Sequence, residues 1–232
     1  MPELPEVESA RAVIERSALN RTIADVDDTD TYECRPHRPG EIRGVLVSSP
    51  DGASDEGGDY VAPLGSRRAT AQKSTWDRFT ITFADCGTLR LFDKRRLGRV
   101  RLNPDVDALG PDAGEITAAQ FRDAVGRGTA PVKARLLDRG VLAGVGNLLA
   151  DEALWQAEID PRRPAGGLTE PELTALRRAF RRAIRSAIRM GGVHTGEMIE
   201  FRTRGAQCPR CGAPMHRATV GGRTTWWCSR EQ

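Results

Sequence analysis

The chain opens Met1-Pro2-Glu3-Leu4-Pro5-Glu6, and its first side chains are of types that could act together. Removal of Met1 before the small Pro2 would leave a free secondary amine. An α-amino group has a pKa of about 7.7–8.0, so a usable fraction is unprotonated near neutrality. Such an amine attacks an electrophilic carbon, and a secondary amine then leaves a permanently cationic iminium that acts as an electron sink. Glu3, beside it, is placed to move a proton. Glu6, one helical turn on, is placed to orient the site or neighbouring backbone N–H groups. Taken alone, these glutamates read rather as an ordinary acidic helix start, which the positive end of a helix dipole favours.

The tail carries a second chemistry. Cys208-Pro209-Arg210-Cys211 is a Cys-x2-Cys knuckle, and Cys228 follows after sixteen residues. This is a zinc-ribbon spacing, in which two hairpin tips clasp one Zn²⁺, and the fourth ligand then falls at Glu231. His216 is an alternative donor, and a lapsed site that keeps its shape without metal is the other reading. Arg223 stands in Gly221-Gly222-Arg223-Thr224-Thr225, on the expected hairpin turn, where an arginine can reach a phosphate. A third feature is Gly144-Val145-Gly146-Asn147. Its glycines permit close approach, and Asn147 opens a helix whose free N–H groups favour anions. Simple packing of two helices is the blander reading of that turn.

The elements that must position these residues are legible from periodicity. Val7, Ala10, Val13, Ile14 and Ala18 recur at helical spacing and predict a helix from Pro5 to Ser17. Residues 22–26 and 45–47 read as irregular strands. Residues 78–83 and 88–92 read as a hairpin closed by Ala84-Asp85-Cys86-Gly87. Between them, residues 48–73 read as a loop or a disordered segment. A basic cluster follows at Lys94, Arg95, Arg96, Arg99 and Arg101. Beyond Asn103-Pro104 the texture is helical. Thr117 with Gln120 forms a capping box, 131–138 a short helix, Asn147 caps a helix to about Ala157, and Thr169 with Glu172 caps one to about Met190. Leu173, Leu176, Phe180, Ile184 and Ile188 line one face of that last helix. Six arginines between Arg177 and Arg189 occupy the rest, a solvated face rather than a nucleic-acid contact.

Composition narrows the class. The chain has 232 residues, 39% hydrophobic and 29% charged, which suits one large or two small domains. No apolar run approaches the roughly eighteen residues of a membrane span, which excludes an integral membrane helix. No basic n-region and apolar h-region opens the chain, so a cytoplasmic location is expected. Three of the five cysteines crowd the last 25 residues, which argues for local thiol chemistry in a reducing compartment. The net charge of +3 hides an asymmetry. Residues 1–161 carry 21 Lys/Arg against 27 Asp/Glu, whereas residues 162–232 carry 14 Arg against 5 Glu. A basic C-terminal third points to a polyanionic partner.

Four motifs stand in one order: Pro2-Glu3-Leu4-Pro5-Glu6-Val7-Glu8, Asp93-Lys94-Arg95-Arg96-Leu97-Gly98, Ala143-Gly144-Val145-Gly146-Asn147 and the Cys-x2-Cys-x16-Cys tail. That order resembles the formamidopyrimidine-DNA glycosylase and endonuclease VIII family of base-excision repair enzymes. The resemblance implies an α+β monomer acting at the nucleoid. Its parts would be an N-terminal β-sandwich lobe with a flanking helix (1–105), a helix-two-turn-helix domain (106–205) and a zinc or zincless hairpin finger (206–232). Damaged double-stranded DNA would lie in the cleft between the lobes. Pro2 would attack C1′ of an extruded nucleotide and Glu3 would shuttle the proton that opens the sugar ring. Arg95 would face the orphaned base and Leu97 would wedge the stack, where many relatives have Phe. Asn147 would meet the DNA backbone. Arg223 would hold phosphates and serve the second, δ-elimination step. Arg127 and Lys133 are counted with them as DNA-binding residues.

The match fails in one place. Family members carry a basic Arg-Gly-Lys-like strand and a His-Leu-Gly-Met-Ser-Gly-like segment in the middle of the first lobe. The lysine assists the lyase steps, and the methionine fills the void left by the flipped nucleotide. Here Val47 runs almost directly into Ser48-Ser49-Pro50-Asp51-Gly52, and Lys73 lies too close to Trp76-Asp77-Arg78 to take the lysine's place. Three readings follow: an active glycosylase and lyase, a non-catalytic DNA-binding relative, and a zinc-ribbon interaction module.

Overall fold

The computed structural model describes residues 3–48, 59–61, 74–96, 98–105 and 108–232. The chain divides into two compact units, residues 7–105 and residues 1–6 with 106–232. The helix α1 (Leu4–Ala18) begins in the second of these and continues into the first.

The unit of residues 7–105 is built on an antiparallel sheet. Strands β1 (Ile23–Asp27), β2 (Asp59–Val61), β3 (Asp77–Phe83) and β4 (Thr88–Phe92) lie in the order β1-β3-β4-β2. Alternation along β3 sends Phe79, Ile81 and Phe83 to one face, where they pack with Val26, Cys34 and Ile42. The β3–β4 turn is closed by the Asp85 carboxylate, which accepts from Gly87 N at 3.0 Å. Among the described residues the expected sandwich is represented by this one sheet. The expected loop at 48–73 falls outside the described residues except at Ser48 and β2, a strand where none was read.

Residues 45–47, expected as strand, belong to helix α2 (Glu41–Ser48). Their β-branched character is overridden by a cap from a distant residue. The buried Asp28 carboxylate accepts from the backbone N–H groups of Gly40 (2.7 Å), Ile42 (3.0 Å) and Arg43 (3.1 Å). It thereby satisfies donors that the first helical turn leaves free.

The other unit is helical. It contains α3 (Ala118–Val125), α4 (Val132–Leu136), α5 (Asn147–Gln156) and α6 (Glu170–Met190), followed by the hairpin β5 (Met215–Val220) and β6 (Arg223–Cys228). Both capping boxes, Thr117 with Gln120 and Thr169 with Glu172, close as the spacing predicts. Helix α6 buries Leu173, Leu176, Phe180 and Ile184, and Gly191 ends it at φ +89°. Ile188, expected on that face, is 39% exposed. The finger packs on the helices. Trp155 of α5 and Met198 share a core with Cys208, Met215, Trp226 and Cys228, because a hairpin this small has too little apolar surface of its own. Among the described residues no helix is long and apolar enough to cross a membrane.

Candidate active site

Residues 3–6 are tied to the two-glycine turn rather than to the sheet unit. Leu4 N donates to Gly144 O at 2.8 Å. The Glu3 carboxylate, 7% exposed, accepts from Leu148 N (2.9 Å) and Leu149 N (2.7 Å) at the start of α5. Gly144 sits at φ +82°, and a Cβ there would come within 2.9 Å of Leu4 Cβ. A Cβ on Gly146 would fall 2.3 Å from Glu3 Cδ. The turn therefore lacks side chains where the N-terminal segment lies against it.

Asn147 is not the cap expected of it. Gly146 occupies the N-cap position of α5 without a side-chain bond, and Glu3, far away in sequence, supplies the acceptors. Asn147 instead donates from Nδ2 to Thr224 O at 3.1 Å.

Burial raises the Glu3 pKa above the usual carboxylate range, opposed by the N–H groups of Leu148 and Leu149 and reinforced by the nearby Glu6 charge. Glu3 is thus a buried acid held at a helix N-terminus. Glu6 bridges backbone on both sides, with Oε2 accepting from Glu3 N (3.1 Å) and Oε1 from Val193 N (2.8 Å). Pro2 lies outside the described residues.

Lys133, expected on a DNA-contacting surface, is instead fully buried. Its Nζ donates to Asp151 Oδ1 (2.5 Å), Thr225 Oγ1 (2.7 Å) and Thr224 O (3.4 Å), which leaves it enclosed by protein acceptors. Burial pulls the Lys133 pKa down and pushes that of Asp151 up, with the attraction between them opposing both shifts. Sequence reasoning missed Asp151 and Glu152. The signal was there: two acids inside the apolar run Leu148-Leu149-Ala150-Asp151-Glu152-Ala153-Leu154 require buried partners. Glu152 finds Glu197 N, Met198 N and Gln156 Nε2.

The remaining candidates are spread over both units. Arg223 is the first residue of β6, just after the turn, and is exposed. Arg127 is exposed and lies 3.4 Å from Asp123. In the sheet unit Arg95 is exposed on the turn after β4, where the Asp93 carboxylate accepts from Arg95 N (2.9 Å) and Gly98 N (2.5 Å). Arg96 pairs with Asp30 at 2.6 Å. Leu97 lies outside the described residues.

The donor atoms of Cys208, Cys211, Cys228 and Glu231 lie within 4.8 Å of one another. Cys211 Sγ is 3.4 Å from Cys228 Sγ, and Cys208 Sγ is 3.9 Å from Glu231 Oε2. Tetrahedral zinc with bonds near 2.3 Å needs sulfurs about 3.8 Å apart, so the set fits a metal ion. The backbone N–H groups of Arg230 and Glu231 point at Cys228 Sγ at 3.4 Å, as suits a thiolate. His216 is absent from the cluster and packs against Trp227.

A helical unit that grips the first residues of its own chain, followed by a cysteine finger, defines the class that comparison with known proteins identifies. Residues 108–198 match the formamidopyrimidine-DNA glycosylase H2TH domain. A formamidopyrimidine-DNA glycosylase of Thermus thermophilus is 33% identical over 259 aligned positions, covering 98% of this chain and 97% of the relative. One of Streptomyces avermitilis is 32% identical over 282 positions, covering 100% and 98%. Both alignments run longer than the chain's 232 residues and so open gaps on it. The Lactococcus lactis Fpg in complex with abasic-site DNA superposes with a TM-score of 0.80 at 26% identity, covering 99% of each chain. MutM in complex with DNA containing carbocyclic 8-oxo-G gives 0.81 at 26% identity, covering 100% of this chain and 99% of that one. The chain belongs to the formamidopyrimidine-DNA glycosylase family.

Proposed function

We propose that this protein excises damaged bases from duplex DNA and cleaves the strand at the abasic site it creates. The observation that carries the reading is Glu3, a buried carboxyl with a raised pKa, fixed by α5 one residue after Pro2. With Met1 removed, the Pro2 nitrogen attacks C1′, the base leaves with the electrons of the C1′–base bond, and the proton lost from the amine balances the one the departing base takes up. Glu3 gives its proton to the ring oxygen as the sugar opens to an iminium. Loss of the C2′ proton then breaks C3′–O3′ (β-elimination). Loss of the C4′ proton from the conjugated iminium breaks C5′–O5′ (δ-elimination). Arg223 meets the charge on the departing phosphate.

Arg95 and Leu97 act where the nucleotide leaves the stack, and Asn147 and Arg127 hold the backbone. Cys208, Cys211, Cys228 and Glu231 hold one structural zinc, which contributes folding energy to the finger and no chemistry. Such a protein works at the nucleoid.

Borohydride reduction on an abasic duplex tests the reading. A covalent adduct that disappears in Pro2→Gly is the expected result, with mass spectrometry reporting loss of Met1. The competing reading, a DNA-binding relative without turnover, is favoured by the missing family lysine and methionine at 48–73. Salt-dependent duplex binding with no adduct would establish it instead.

A further inference from the structure

We infer that the cluster of buried Lys133 and Asp151 with the half-buried Arg202 is a positioning device for Arg223 and sets how far strand cleavage proceeds beyond β-elimination. The inference rests on the reading above for the role of Arg223. It starts from one carbonyl. Thr224 O, the next peptide oxygen after Arg223, accepts from three side chains: Asn147 Nδ2 (3.1 Å), Arg202 Nη2 (3.3 Å) and Lys133 Nζ (3.4 Å). The Thr225 hydroxyl accepts from Lys133 Nζ at 2.7 Å and donates to Arg223 O at 3.0 Å. Asp151 holds the donors in place. Its Oδ1 accepts from Lys133, and its Oδ2 accepts from Arg202 Nε at 3.0 Å and Trp226 N at 3.4 Å. On the other side of Arg223, a Cβ on Gly221 would lie 2.9 Å from Ala134 Cα, so the turn itself is pressed against α4. Arg223 is therefore pinned before and after, while its own side chain is exposed.

An apolar contact would hold the hairpin to the helices without the desolvation that Lys133 and Asp151 incur. What charged donors add is direction: they fix one peptide plane, and with it the direction in which the neighbouring side chain leaves the strand. Glu3 is held separately, by the backbone of Leu148 and Leu149. Loosening the cluster should thus disturb the step that uses Arg223 and spare the one that uses Glu3.

The test is a single-turnover assay on an abasic duplex that resolves β from δ products, run beside borohydride trapping. Arg202→Ala and Asp151→Asn are expected to lower the δ-to-β ratio by about tenfold or more, with adduct yield within about twofold of the unaltered protein. Arg202→Lys, which keeps the charge beside Asp151, should recover part of the ratio. Should Asp151→Asn not fold, Arg202→Ala carries the test. Combining Arg202→Ala with Arg223→Ala should lower the ratio no further than Arg223→Ala alone. An unchanged ratio, a parallel fall in trapping and both products, or a further fall in the double variant would each overturn the positioning role. So would an unaltered protein that traps but yields only β product. An unaltered protein that forms no adduct overturns the proposed function and this inference with it.

Discussion

The two units use their acids differently. In the helical unit Glu3, Glu6, Asp151 and Glu152 reach across the sequence to bind backbone N–H groups or buried cations. In the sheet unit acids such as Asp25, Asp30 and Asp85 meet arginines instead (Arg43, Arg96 and Arg21), as Glu170 and Glu172 on the surface of the helical unit do with Arg122 and Arg163. Asp28 and Glu33 are the sheet unit's buried acids, Asp28 capping α2 and Glu33 lying 3.3 Å from Arg99. The difference separates two demands. Buried contacts fix a carboxylate in one place, whereas water and salt can loosen contacts at the surface.

The largest expected effect lies at Glu3. Glu3→Gln keeps the side chain's size but removes the proton and one of the two oxygens that accept from Leu148 N and Leu149 N, so the single-turnover excision rate should fall by about 10²- to 10⁴-fold. A smaller change than tenfold would mean the buried carboxyl is only a helix cap. The second test compares the units directly. Lys133→Met removes one of the two cations beside the buried Asp151 and leaves Arg202 as the other, and should destabilise the helical unit by about 3 kcal/mol in urea. Arg96→Met, at a pair whose arginine is exposed and whose Asp30 keeps Arg78 at 3.6 Å, should change the sheet unit by no more than about 1 kcal/mol, and less in high salt. Trp155, Trp226 and Trp227 report one unit and Trp76 the other, so the two transitions are separable. Equal losses would erase the contrast. The smallest effect is on acid stability. Arg163 beside Glu172, aided by Thr169, holds that carboxyl down to about 2, below its unfolded value. Its stabilisation is complete above the unfolded value and is lost as pH falls toward 2. Tm measured from pH 5 to pH 2 should therefore drop less in Glu172→Gln than in the unaltered protein.

What could be read from the residues was what neighbours in sequence decide. Thr117 with Gln120 and Thr169 with Glu172 satisfy each other within one turn, and both helices begin where the spacing says. The cysteine knuckle likewise reached Glu231 by counting, and the four donors converge. The errors share one cause, a partner far along the chain. Val45-Leu46-Val47 looks like strand until Asp28 caps a helix over it. Asn147 looks like a cap until Glu3 takes that place. Lys133 looks like a surface cation until Asp151 and Thr225 enclose it. Unlike the two acids inside the apolar run of α5, Lys133 has no neighbours in sequence that mark whether its counterion lies in solvent or inside the protein.

One contact in the finger makes the protein its own indicator. The Trp155 indole N–H is directed at Cys208 Sγ, 3.3 Å away, and the Arg210 guanidinium lies 4.2 Å from the centre of that ring while also reaching Glu231. A metal ion entering the cluster would draw electron density from that sulfur and compete with Arg210 for the carboxylate. The part of the emission that Trp155→Phe removes would then register occupancy, with no added dye.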